Sequence, residues 1–261
     1  MRVFLVAATL CFTGAAWAET AQERLKEATT VFNEVMGTPD KGIPQELLES
    51  AHCVVIVPGL KKAAFGIGGQ YGRGFSVCRN LRGGGGWADP AAVRVEGGSF
   101  GFQLGASETD VIMLVMNRKG MDRLLDSKFT LGADASVAAG PVGRTAAANT
   151  DAYMRAEILS YSRARGLFAG LALTGATLRS DEDENAELYG KKMTIRQVIE
   201  SNPPNPPAAA QLLSQLGKYS FREEGVSNAD RQATSPTTDK TRKERKTKTE
   251  KEQEHKEHKQ Y

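Results

Sequence analysis

Gly97-Gly98-Ser99-Phe100-Gly101 has the spacing G-x-S-x-G, which in a nucleophile elbow lifts a serine onto a strand-to-helix turn. The chemistry needs a histidine to take the serine proton and an acid to orient that histidine. The only histidines after Ser99 are His255 and His258, in a charged terminal run, and His52 precedes it with no partner pattern. The match is therefore read as a glycine-rich coincidence, and a hydrolase is not expected. Asp181-Glu182-Asp183-Glu184-Asn185 opens like a calcium loop, but its sixth and twelfth positions hold Ala186 and Lys192 where glycine and glutamate are required. A solvated acidic loop is the expectation there. Three scattered histidines and three cysteines form no zinc spacing. Gly66-Ile67-Gly68 meets Tyr71 where a dinucleotide fingerprint needs its third glycine, and Gly190-Lys191 is followed by Lys192 where a phosphate loop needs Ser or Thr. No catalytic constellation, cofactor site or metal site is expected, which leaves a binding protein. The residues suited to binding are cations beside glycine turns: Lys61, Lys62, Arg73, Arg144, Arg163 and Arg165. Such side chains, next to open backbone amides, hold phosphate groups.

The elements that must position these cations change character along the chain. Ala21, Leu25, Ala28, Phe32 and Val35 recur at spacings of four and three, which predicts an amphipathic helix over Thr20–Met36 with Glu23, Arg24, Lys26, Glu27 and Glu34 on its polar face. A short helix follows Pro44, with Leu47 and Leu48 facing inward. From His52 the texture turns to strand. Candidates are Val54–Val57, Ala63–Val77, Ala91–Glu96, Ser99–Leu104, Asp110–Met116, Phe129–Ala138, Tyr153–Ser160 and Leu167–Leu178. Of 27 glycines, 21 lie between Gly59 and Gly175. Glycine weakens a strand, so its abundance calls for hairpins, bulges or close backbone packing in a curved sheet. One helix, capped by Asn117 and bearing Met121, Leu124 and Leu125, interrupts this region. Helical patterning returns with Thr194 as a cap for Ile195–Glu200. A last helix runs over Ala208–Leu216, with Gly217 as its stop. The fold class expected is α+β, a single domain with a glycine-rich, curved or barrel-like antiparallel sheet flanked by N- and C-terminal helices.

Residues 1–18 read as a secretory signal peptide. Met1-Arg2 is basic, Val3–Ala16 is almost wholly apolar, and Ala16-Trp17-Ala18 fits cleavage between Ala18 and Glu19. The apolar run falls short of the roughly 18 residues a spanning helix needs. Export is therefore expected, to the periplasm or, alternatively, to the medium or outer surface. An oxidising compartment permits a bond between Cys53 and Cys78, though two buried free thiols fit the sequence as well. The domain is expected over 19–221, followed by a disordered charged tail over 222–261. The run Asp239–Tyr261 holds nine Lys/Arg and six Asp/Glu and almost nothing apolar. The net charge of the whole chain, +3, is too small and too dispersed to imply nucleic acid.

Several stretches together resemble the SYLF domain family. His52–Gly74 (HCVVIVPGLKKAAFGIGGQYGRG) is similar to the family's opening strand, Pro-Gly turn and glycine-rich hairpin, and Trp87-Ala88-Asp89-Pro90 to its Trp-x-x-Pro element. Gly97–Gly105 and Asp110–Met116 resemble its next strands. Phe129–Arg144 (FTLGADASVAAGPVGR) and Ile158–Gly175 (ILSYSRARGLFAGLALTG) are the most distinctive, and Asn185–Gly190, ending Leu-Tyr-Gly, closes the match. The resemblance covers about Ala21 to Leu216. It implies a lipid-binding module: eukaryotic members bind phosphoinositides and some bind actin, while exported bacterial members look like lipid-associated envelope proteins. The expectation for this chain is peripheral, non-enzymatic binding of anionic lipid head groups at a bacterial envelope. The alternative is a structural or protein-interaction module of the envelope without a lipid ligand.

Overall fold

The computed structural model describes residues 19–38, 42–80, 86–126, 128–143, 156–164, 167–170, 173–201 and 203–220. The expected signal peptide over 1–18, Arg144, Arg165 and the charged tail lie outside the described residues. The fold is α+β, with a curled, mostly antiparallel sheet and helices at both ends. Helix α1 (Ala21–Met36) begins at Thr20, whose Oγ accepts from the Glu23 amide while the Glu23 carboxylate accepts from the Thr20 amide. This reciprocal cap satisfies two of the donors that a helix start leaves unpaired. The expected stripe of Ala21, Leu25, Ala28, Phe32 and Val35 is wholly buried. Helix α2 (Gln45–Ser50) follows Pro44 and buries Leu47 and Leu48.

The centre of the fold is a pair of very long strands, β1 (Cys53–Cys78) and β2 (Ala91–Val115), antiparallel from Cys53↔Val115 to Ser76↔Ala91. A straight strand of 26 residues would run about 85 Å. A compact domain of about 200 residues has a radius of gyration near 16 Å. The ribbon therefore has to double back on itself, and it does so through register shifts between Val57 and Leu60 and between Phe65 and Ile67. The second shift leaves Gly66 facing Gly101–Gln103, which marks the apex of the fold-over. The doubling brings the two ends of β1 together. The Arg79 amide donates to the His52 carbonyl at 2.8 Å, and Cys53 and Cys78, with Cα atoms 3.9 Å apart, are joined as a disulfide. Of the two readings the sequence left open for these cysteines, the bonded one holds here. Of the reasons the sequence offered for its glycines, close backbone packing applies at Gly72 and Gly74. A Cβ on Gly74 would stand 2.0 Å from the Ile56 carbonyl oxygen, and one on Gly72 would stand 2.7 Å from Leu60 Cδ1. Their absence is what lets one half of β1 lie directly on the other.

Helix α3 (Arg118–Leu125) is capped by Asn117, whose Oδ1 accepts from the Gly120 amide at 2.9 Å. It leads to β3 (Lys128–Thr130) and β4 (Val137–Ala139), which replace the single strand expected over Phe129–Ala138. The reason is the turn between them, held by Asp134 accepting from the Thr130 amide and by Gly132 at φ +84°. Strand β5 (Ile158–Ala164) hairpins into β6 (Leu167–Gly170), and β7 (Thr177–Ser180) completes the order β3-β7-β2-β5-β4, with β1 beside β2 and β6 beside β5. The β4–β5 pairing is parallel. Helices α4 (Glu182–Tyr189), α5 (Ile195–Ser201) and α6 (Ala209–Tyr219) follow. Gly217 lies inside α6 and does not stop it; the helix runs two residues further and buries Leu212 and Leu216 along its inner face.

Both faces of the sheet are covered, which explains the unbroken apolar run Val54–Val57. Val54 and Ile56 join Phe75, Ile112 and Leu114 under α1, α2 and α6. Val55 and Val57 join Val93, Met113 and Phe129 under α3 and α5. Two measurements test this account. Gly74→Ala is expected to cost about 1–3 kcal/mol in urea unfolding, because backbone rather than a flexible side chain must give way. Replacing Cys53 and Cys78 by serine is expected to cost about 3 kcal/mol, since the bond closes a separation of 25 residues in the unfolded chain.

Candidate functional site

The six cations singled out from sequence do not converge on one place. Arg73 projects from β1 toward the start of α4, where its Nε donates to Asp181 Oδ2 at 2.8 Å and lies 3.4 Å from Glu184 Oε2. Burial alone would lower its pKa, but Asp181, Glu184 and Tyr71 together hold it above the ordinary arginine value. Arg163, in β5, donates from Nε and Nη2 to Asp110 Oδ2 at 2.9 and 2.8 Å and pairs with Glu34 of α1. These two guanidiniums bind the fold's own acids. Lys61 and Lys62 differ: among the described residues neither is ion-paired. They sit in β1 just past the first bulge, in register with Glu108 and Ser107. The Glu108 carboxylate is turned to Gly59: a Cβ built on Gly59 would meet its Oε1 at 2.7 Å. Lys61 is exposed and Lys62 half-buried, and burial lowers the Lys62 pKa. An ammonium stripped of part of its water with no counter-ion gains from an anion supplied from outside.

Ser99 lies within β2, in register with Gly68, and not on a strand-to-helix turn. The backbone of an elbow is absent there. Asp181–Asn185 corrects the expectation of a solvated loop. Asp181 is the N-cap of α4, its Oδ1 accepting from the Glu184 amide at 3.3 Å, and Asp181, Glu184 and Asn185 are buried. The physical reason is that this segment continues the sheet. The Asp181 amide donates to the Ala92 carbonyl, and the Asn185 side chain then accepts from the Ala92 amide at 2.7 Å while donating to the Met193 carbonyl at 2.7 Å. Arg24 also leaves its expected solvent face. It pairs with Glu184 and lies 3.2 Å from Glu19 Oε2. The result is a chain Glu19–Arg24–Glu184–Arg73–Asp181, exposed at its Glu19 end and buried at Glu184 and Asp181, that ties α1, β1 and α4 together. The pattern Asp181-x-x-Glu184 before a run ending Tyr189-Gly190 is the sequence signal for it, as an N-cap with an acidic first turn and a left-handed stop at Gly190, φ +74°.

The Trp87–Pro90 segment acts in a second tie. The Arg79 guanidinium stacks 4.0 Å from the Trp87 ring centre and donates to the carbonyls of Leu48, Glu49, Ala51 and Ser220. Trp87 Nε1 donates to Ser220 Oγ at 2.9 Å, and the Tyr189 hydroxyl donates to the Pro90 carbonyl at 2.6 Å. The carbonyl ends of α2 and α6 are thus gathered on one cation, where a positive charge is favoured.

Glu184 is pushed above the usual glutamate range by burial, which outweighs Arg24 and Arg73, since each guanidinium is shared with another acid. A carboxyl raised in the folded state binds its proton more tightly there than in the unfolded chain. Stability then falls as pH rises from the ordinary glutamate value through the raised one. Glu184→Gln is expected to flatten that slope and to change neutral-pH stability by less than about 1 kcal/mol. Arg73→Met, which leaves the buried Asp181 without its cation and Glu184 with Arg24 alone, is expected to cost about 3–5 kcal/mol. Urea unfolding from pH 4 to pH 8 checks both.

Residues 96–219 match the model of the Ysc84 family, described as "Las17-binding protein actin regulator". LAS seventeen-binding protein 3 of Saccharomyces cerevisiae is 31% identical over 192 residues, 72% of this chain and 41% of that protein. An SH3 domain-containing protein of Schizosaccharomyces pombe is 34% identical over 182 residues, 69% of this chain and 42% of its own length. SH3 domain-containing YSC84-like protein 1 of Homo sapiens is 27% identical over 208 residues, 79% of this chain and 59% of its own. The chain therefore spans about half the length of these relatives.

Proposed function

Because the chain belongs to the SYLF (Ysc84) family, we propose that it is a non-enzymatic binding module that takes anionic lipid head groups through Lys61 and Lys62. The observation that carries this reading is the pair of cations on the ribbon, without an ion-pair partner among the described residues, one of them already part-desolvated. A phosphate brought to Lys62 replaces water it has lost, and Lys61 on the adjacent position adds a second, hydrated contact. Arg73 and Arg163 serve the fold in this reading and hold the ribbon's base. Contact is peripheral, and no described helix is long and apolar enough to cross a membrane. Export to a bacterial envelope, with cleavage after Ala18, is part of the same proposal and rests on residues 1–18 of the sequence.

The family description favours a second reading, in which a protein partner takes this surface. The two separate in one experiment. The purified chain is co-sedimented with neutral and anionic vesicles at low and high salt. Binding is expected only with anionic lipid and is expected to fall with salt. Each lysine near an anionic surface contributes about 1 kcal/mol, so the double charge reversal Lys61→Glu, Lys62→Glu is expected to weaken binding at least about tenfold. Unchanged binding would remove these residues from the site. No sedimentation with any vesicle, together with capture of one stoichiometric protein partner, would favour the second reading.

A further inference from the structure

From the geometry of the doubled β1–β2 ribbon we infer that its apex enters the head-group and upper acyl region of a lipid bilayer, with Lys61 and Lys62 meeting the phosphates behind it; the inference rests on the lipid reading above. Below Leu60 the ribbon belongs to the body. The described pairings of β2 with β5 cover Asp110–Val115 and those with β7 cover Val93–Glu96. Between them, among the described residues, residues 97–109 of β2 pair only with β1. Gly72, packed on Leu60, is the last place where the two halves of β1 are shown in close contact. Beyond it Lys61, Ala63, Gly69, Tyr71, Gly98 and Gly105 are exposed.

The composition of this stretch changes at the same point. Residues 63–71 and 97–107 carry no charge, and the register sets Phe65 opposite Leu104 and Ile67 opposite Phe100. The charges resume at Lys62 and Lys61 on one strand and at Glu108 on the other, with Glu96 already held by Arg94 and Arg179. An uncharged, aromatic-bearing turn of backbone with cations behind it complements an anionic bilayer, which is apolar inside and negative at its surface.

Lengths agree with this placement. At about 3.3 Å per residue, Lys62 stands about 13 Å behind the apex at Gly66, and Tyr71 about 16 Å. An apolar segment lying in the interface reaches about 5–10 Å into the head-group and acyl boundary. Lys62 then lies level with the phosphates and Tyr71 at their outer edge, where tyrosine is favoured. The ribbon's own backbone limits the depth. A two-stranded ribbon has outer edges whose amides and carbonyls must be satisfied, and hydrocarbon offers them nothing. The apex therefore stays shallow.

The test places an environment-sensitive fluorophore at Gln103→Cys in a Cys11→Ser background, where the bonded Cys53 and Cys78 leave one reactive thiol. With anionic vesicles, co-sedimentation is expected together with a blue-shifted emission, quenched more by spin labels high on the acyl chain than by labels near its end. A companion variant, Phe102→Asp, is expected to weaken vesicle binding at least tenfold with an unchanged melting temperature. Co-sedimentation without a blue shift, quenching strongest from the deep label, or full binding by Phe102→Asp would each overturn insertion while leaving the lysine contact intact. Absence of sedimentation by the labelled chain and its unlabelled parent alike would overturn the lipid reading itself.

Discussion

The contact of β1 with itself is the constraint on which the rest of this molecule depends. Two backbones that would ordinarily be held apart by side chains lie against each other at Gly72 and Gly74 on one half and at Ile56, Val57 and Leu60 on the other. The disulfide Cys53–Cys78 and the hydrogen bond from Arg79 to His52 fasten the open end. Once the ribbon is folded over, its two halves take different neighbours. One half of β2 receives β7 and the other receives β5, and the sheet is built outward from these two edges.

Charges buried beside this ribbon bind the helices to it. Arg73 and Arg163 leave the ribbon and its neighbour β5 toward α4 and α1; Arg73 meets the N-cap and first turn of α4, and Arg163 meets acids from α1 and β2. Such pairs add little net stability once desolvation is counted, but they penalise any arrangement that leaves one partner buried alone. They act as positional locks on α1 and α4, while the packing of Leu25, Phe32, Leu212 and Leu216 supplies the stabilisation. Arg79 does the equivalent for the carbonyl ends of α2 and α6, with Trp87 beneath it.

This division of labour separates structural cations from available ones. Around the base of the ribbon, arginines are matched by acids; further out, Lys61 and Lys62 have no ion-pair partner among the described residues, and then charge ceases. Family motifs follow the same division. Trp87 and Pro90 meet Ser220 and Tyr189, distant in the chain, in the second tie, so their roles are in holding the fold. The ribbon's glycines serve both purposes: they permit the close backbone contact in the body and leave the apex thin.

The sequence by itself determined the elements whose cause is local. The stripe from Ala21 to Val35 made α1, Asn117 capped α3, and the density of glycine announced a curved sheet with close backbone packing. Each depends on residues within a turn or two of one another. Only the tertiary structure decided that Val54–Val77 and Ala91–Val115 are single strands running through their glycines, because nothing local distinguishes a glycine that turns the chain from one that admits a neighbouring backbone. It also decided that Arg73 and Arg163 are paired with the fold's own acids while Lys61 and Lys62, among the described residues, are not. A cation's availability is set by acids brought to it from more than a hundred residues away, as Asp181 is to Arg73, and that distance is closed only by the fold.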